Sequence, residues 1–87
     1  MQYKVEIKPS AHKFLKSLPS HDKQKIETKI IELSKNPRNE QVIKLTNVKP
    51  DTYRARQGYY RIKFHIHDDI LVVEVIDIDH RKDIYKK

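Results

Sequence analysis

Tyr53-Arg54-Ala55-Arg56-Gln57-Gly58-Tyr59-Tyr60-Arg61-Ile62-Lys63-Phe64-His65-Ile66-His67 is the stretch that decides how this chain folds. Its residues alternate, and alternation with a period of two is the mark of a half-buried strand. Gly58, the single glycine of the chain, interrupts the pattern and marks a turn. Tyr60, Ile62, Phe64 and Ile66 fall on one face of the second strand, and Arg61, Lys63, His65 and His67 on the other. The first strand repeats this, with Tyr53 and Ala55 opposed to Arg54 and Arg56. If the two strands pair, their arginines share an open face. Like charges facing each other across strands are destabilising. A solvated polar face is the plain reading of one such arginine, but a cluster of them points to an anion.

Downstream, Asp68-Asp69 reads as a tight turn. Ile70–Ile78 is nearly continuous apolar, as expected of a central strand covered on both faces. The polar tail His80–Lys87 reads as one short turn or helix. Upstream, Gln41–Leu45 reads as a short strand and Asn47–Asp51 as a loop. At the N-terminus, Tyr3–Lys8 alternates as a strand that Pro9-Ser10 ends. Ala11, Phe14, Leu15 and Leu18 then form a helical stripe with Ser10 as its expected cap. Pro19-Ser20 breaks that helix and offers a second cap. Ile26, Ile30, Ile31 and Leu33 form the next stripe, which Asn36-Pro37 stops. The order is β-α-α-β-β-β-β. It predicts an α+β fold: a small antiparallel sheet, mixed at most at one edge, packed against an N-terminal two-helix hairpin.

At 87 residues the chain is expected to form a single domain, 1–87. That size leaves room for a shallow site on an open face and none for a deep cleft. The absence of cysteine excludes disulfides and thiolate chemistry. The opening MQYKVEIK lacks the apolar core of a secretory signal. No apolar run approaches the ~20 residues of a membrane span, so a cytoplasmic protein without a membrane partner is expected. The net charge of +7 favours a polyanionic partner. Residues 1–50 carry 11 Lys/Arg against 5 Asp/Glu, whereas residues 51–87 carry 8 against 7. The first part is lysine-rich, with Arg38 its one arginine. The second holds Arg54, Arg56, Arg61 and Arg81. Lysine suits long-range steering, while the planar fork of arginine fits phosphate, so bulk charge and site are expected in different places. Lys13, Lys16, Lys23, Lys25 and Lys29 read as a solvated helical face that steers toward RNA.

Tyr53-Arg54-Ala55-Arg56, Gly58-Tyr59-Tyr60-Arg61-Ile62 and His80-Arg81-Lys82-Asp83-Ile84-Tyr85 together resemble the RelE branch of the RelE/ParE toxin superfamily. Lys44-Leu45 resembles the segment before its hairpin. Ala11, Leu15, Leu18 and Asn36-Pro37 resemble its helical pair. The resemblance implies a bacterial or archaeal toxin of a type II toxin–antitoxin pair. It implies cleavage of messenger RNA in the ribosomal A site by a reaction needing no metal or other cofactor. In that reaction a ribose 2′-OH attacks its own 3′-phosphate and expels the 5′-oxygen. ParE-like relatives instead poison DNA gyrase, and a member that only binds RNA or a partner is a third reading. The matching catalytic positions are Arg54, Arg56, Arg61, Arg81 and Tyr85, with His80 matching a histidine of some relatives. Lys44, Lys63 and Lys82 are the expected RNA-binding lysines. A small acidic antitoxin from an adjacent gene is the implied partner, the toxin being monomeric alone and hetero-oligomeric with it.

The chemistry suits these residues. In-line attack builds negative charge on phosphorus, and each preorganised arginine matched to it is worth about 2–4 kcal/mol. Arg61 and Arg81 are the expected clamp. Proton transfer by a positioned titratable group contributes about 10²–10⁴-fold, and His80 titrates in the right range. Tyr85 either acts as a base, its pKa lowered by neighbouring arginines, or stacks on an unpaired base. His65-x-His67 has chelate-like spacing, but two ligands without cysteine read as exposed strand histidines rather than a metal site. Asp77 and Asp79 resemble an acid/base dyad, yet read more simply as strand-end carboxylates paired to Arg or Lys.

Overall fold

The computed structural model describes residues 2–80. Arg81, Lys82 and Tyr85, expected at the site, lie outside the described residues, as does the tail after His80. The elements are β1 (Lys4–Ile7), α1 (Pro9–Lys16), α2 (Ser20–Lys35), β2 (Ile43–Lys44), β3 (Tyr53–Gln57), β4 (Tyr60–His67) and β5 (Val72–His80). They form one five-stranded sheet in the order β1-β5-β4-β3-β2. Strands β2 to β5 are an antiparallel meander, and β1 joins β5 in parallel. The sheet is therefore mixed at one edge, as the element order predicted. A parallel neighbour requires a crossover, and the two helices are that crossover.

Both helices start differently from the serine-cap expectation. Pro9 occupies the first turn of α1, and Lys8 holds the cap position without a side-chain bond. Pro19 takes the cap position of α2, with Ser20 already helical. Proline lacks the N–H that a helix start leaves unpaired, and its fixed φ suits that position, so no serine cap is required. From α2 the core takes Ile26, Ile30 and Leu33, spaced to share one stripe. Ile31, expected in that stripe, is 55% exposed, because one residue after Ile30 the helix has turned by about 100°. Lys29, expected in solvent, is buried: its Nζ donates to Gln41 Oε1 at 3.1 Å and pairs with Glu32 at 3.3 Å.

Ala11 and Leu15 of α1 complete the helical side of the core, against Ala55, Ile62, Phe64, Val73, Val75 and Ile78 of the sheet. The helices cover one face. Val72, on the other face in phase with Glu74, is buried as well, and a bulge accounts for the rest of the apolar run of β5. Lys63 pairs with Asp77 and Phe64 with Val75, so Ile76 is an extra residue at a bulge. A bulge resets the alternation. Val75 and Ile78, three apart, thereby both face the helices, while Glu74, Asp77 and Asp79 are half-buried on the other side.

Candidate nucleic-acid interface

Two register facts build the open face. Arg56 of β3 stands directly opposite Arg61 of β4, and Arg54 opposite Lys63. Their neighbours in β3 and β4, Ala55 and Ile62, are buried toward the helices, so alternation puts all four cations on the face away from them. Gly58 makes this register. Gln57 pairs with Tyr60, which leaves the two-residue loop Gly58-Tyr59, and Gly58 has φ +60. Glycine at the first loop position with positive φ is the pattern of a type II′ hairpin turn, whose twist matches that of the strands.

On the next strand Asp79 stands opposite Arg61 and Asp77 opposite Lys63. Arg61 Nε donates to Asp79 Oδ1 at 3.1 Å, and Nη2 reaches the His80 carbonyl at 3.4 Å. Asp79 thus serves as an arginine partner, while Asp77 shares its face without a direct bond to Arg61. The Arg61 side chain is 18% exposed. Its contacts use the Nε–H and one Nη2–H of the five N–H donors that a guanidinium carries. Burial pushes the Asp77 carboxyl above the ordinary carboxylate range; the Asp79 charge adds to this and Lys63 works against it. Arg54 is half-buried, Arg56 exposed. Together with Gln41 and Ile43 they line a shallow cleft of about 190 Å³.

The expected residues divide. Arg54, Arg56, Arg61 and Lys63 come together. His80 does not present its ring to them. It pairs with Tyr60, and its ring lies 4.7 Å from that of Tyr60 and 5.7 Å from that of Phe14, centroid to centroid. Phe14 belongs to α1, so the imidazole is on the helix side of the sheet and only its carbonyl meets Arg61. Lys44 also stands apart: it lies opposite Tyr53, on the helix side of the register, and pairs with Asp51 at 3.3 Å.

A second cluster, which sequence spacing gave no reason to expect, ties distant segments together. Arg38 makes a two-pronged contact with Asp68 at 3.1 and 2.8 Å, Tyr3 Oη donates to Asp68 Oδ1 at 2.6 Å, and the Arg38 guanidinium lies 5.5 Å from the Tyr53 ring centroid. The bonds from Arg38 and Tyr3 hold the Asp68 carboxyl at about 2, and the same carboxylate raises Arg38. This clasp joins the start of β1, the stretch after α2 and the β4–β5 turn. No helix of the described residues is long and apolar enough to cross a membrane.

Comparison with known proteins agrees with this architecture. Residues 5–85 match the family model described as the ParE toxin of the type II toxin–antitoxin system parDE. The chain is 42% identical over 36 residues to Toxin RelG of Mycobacterium tuberculosis, a match covering 41% of each protein, so it spans about two fifths of that relative's length. It superposes on a chain of the archaeal RelE–RelB complex from Pyrococcus horikoshii with a TM-score of 0.81 and 29% identity, covering 94% of this chain and 98% of that one. For the RelBE2 toxin–antitoxin complex of M. tuberculosis the TM-score is 0.83 at 27% identity, covering 93% of each chain. For the intact RelBE complex of E. coli it is 0.78 at 28%, covering 90% and 95%. With the family match running nearly end to end over a sheet and helix pair of the same shape, the chain belongs to the RelE/ParE superfamily as a RelE-type toxin of a type II toxin–antitoxin system.

Proposed function

We propose that this toxin is an endoribonuclease that cleaves messenger RNA on the ribosome, in the cytoplasm of a bacterial or archaeal cell. The 2′-OH attacks the adjacent phosphate, and the arginine face stabilises the charge that develops. The observation that carries this reading is the direct opposition of Arg56 and Arg61 beside Arg54 and Lys63, on a face that no helix of the described residues covers. Such an arrangement costs stability in the free protein and is relieved by a bound phosphate. Arg61, set by Asp79, is the inner member and the principal clamp. Arg54, Arg56 and Lys63 hold the flanking backbone, and Arg81, Lys82 and Tyr85, outside the described residues, are assigned to the same chemistry by the family resemblance alone. Asp77 shares this face with the arginines, whereas the His80 ring lies on the far side of the sheet.

A small acidic antitoxin is the fitting cover for this face. The structural relatives described as RelE–RelB and RelBE complexes support such a partner. Primer-extension mapping of messenger RNA from cells expressing the chain tests the activity. Discrete cuts that vanish in Arg61→Ala and Arg81→Ala are expected. The matched family is described as a ParE toxin, which favours a gyrase poison as the second reading. Intact RNA with accumulating double-strand DNA breaks establishes that reading and overturns the first.

A further inference from the structure

The far end of the same sheet face carries a different set of side chains. His65 and His67 follow Arg61 and Lys63 along the outer side of β4. Glu74 of β5 stands directly opposite His65. All three are half-buried, with side-chain exposures of 19%, 40% and 23%. Glu74 Oε1 lies 3.0 Å from His67 Nε2 and 3.6 Å from His65 Nδ1, and the three ligand atoms all fall within 4.8 Å of one another. One carboxylate oxygen is thus shared by two imidazole nitrogens from alternate positions of the neighbouring strand.

We propose that His65, His67 and Glu74 form a binding site for a divalent transition-metal ion of the Zn²⁺ type, with a fourth position open to water. Bond lengths of 2.0–2.2 Å from a tetrahedral ion place its ligand atoms about 3.3–3.5 Å apart. The two distances from Glu74 bracket that range, and with every separation within 4.8 Å no pair has to close by more than about 1.5 Å, a matter of side-chain torsions. Two imidazoles and one carboxylate are donors of the borderline kind that select zinc, nickel or copper over magnesium or calcium. Lys8 Nζ lies 3.8 Å from the other oxygen of Glu74, Oε2, which orients the carboxylate and leaves Oε1 as the ligand.

The site lies outside the arginine cluster. Along β4, Lys63 lies two positions and Arg61 four positions from His65, about 7 and 13 Å at the usual rise. The ion therefore stands beside Lys63 but away from the Arg61 clamp, and is no part of the proposed cleavage. It fastens β4 to β5, the two longest strands, on the face that the helices leave uncovered, and so acts on stability.

Titration calorimetry of the metal-free 87-residue chain with Zn²⁺ tests this. One equivalent is expected to bind, with a rise in Tm that saturates at the same ratio. His65→Gln, His67→Gln and Glu74→Gln, each checked for native circular dichroism, are expected to weaken binding at least tenfold and to abolish the Tm shift. A His12→Ala/His21→Ala double variant is expected to bind as the parent does. Co²⁺ bound to the unaltered chain is expected to give the intense visible absorption of a tetrahedral complex, which requires no variant to fold. Absence of saturable binding, binding undiminished in all three glutamine variants, or a weak octahedral Co²⁺ spectrum overturns the proposal.

Discussion

Arg61 is fixed from two sides, by the Asp79 carboxylate at Nε and the His80 carbonyl at Nη2. A guanidinium held before substrate arrives loses little side-chain freedom on binding, and its remaining donors meet charge as it develops. Replacing Arg61 with alanine is therefore expected to lower RNA cleavage about 10²–10³-fold in single-turnover assays. Arg61→Lys is expected to recover little, because an ammonium cannot keep the Asp79 contact and present a planar fork at once. Recovery of parental cleavage by lysine would refute the clamp. His80 makes the opposite case. Its ring packs edge-on with Phe14 and tilted over Tyr60. His80→Ala is expected to cost about 0.5–1.5 kcal/mol in urea unfolding, while leaving cleavage within a few-fold under conditions where the variant is folded. A loss of cleavage comparable to that of Arg61→Ala, in folded protein, would return the imidazole to the chemistry.

The β3–β4 hairpin converts alternation into a site, and its turn sets the pairing of Arg56 with Arg61. A Cβ added at Gly58 meets nothing within 4 Å, yet φ is +60. The cost of substitution is thus purely conformational. Gly58→Ala is expected to lose about 1–2 kcal/mol, Gly58→Asn less, and Gly58→Val more, since β-branched residues tolerate this region least. Thermal unfolding of the three variants gives that order directly. Elements of this kind were legible in the sequence. Alternation in 53–67 gives both strands and their faces, and a lone glycine locates the turn. What could not be read was phase and partnership across strands. The bulge at Ile76 brings Val75 and Ile78, three apart, to the same face. Nothing local shows that Glu74 meets His65 and His67, since 65 and 74 are neighbours only once β5 takes its register. The side of the sheet on which the His80 ring lies has the same origin: it follows from pairing with Tyr60, not from nearness to Arg81 in sequence.

At the scale of the whole molecule, the charges have two separate roles. The lysines and arginines give a net +7, a long-range field that favours polyanions and fades with salt; for the proposed RNA target, the slope of log K against log salt is expected to fall by about 0.7 for each phosphate contact removed. The short-range pairs hold segments together. Among them, Asp68 joins the N-terminal strand, through Tyr3, to the stretch after α2, through Arg38. Its pKa is lowered from 3.8 to about 2. A carboxyl lowered in the folded state binds its proton more readily when unfolded, so stability rises with pH where the two states differ. The contribution of the clasp is then complete above about pH 4 and disappears as pH falls toward 2. Asp68→Asn is therefore expected to lower Tm at neutral pH, and the gap between variant and parent to narrow steadily between pH 4 and pH 2. Arg38→Gln is expected to follow the same course, and the double variant to add little, because both changes remove one interaction. A gap that stays constant through this range would mean that the clasp contributes by packing alone, with Arg38 lying over Tyr53 whatever the charge on Asp68.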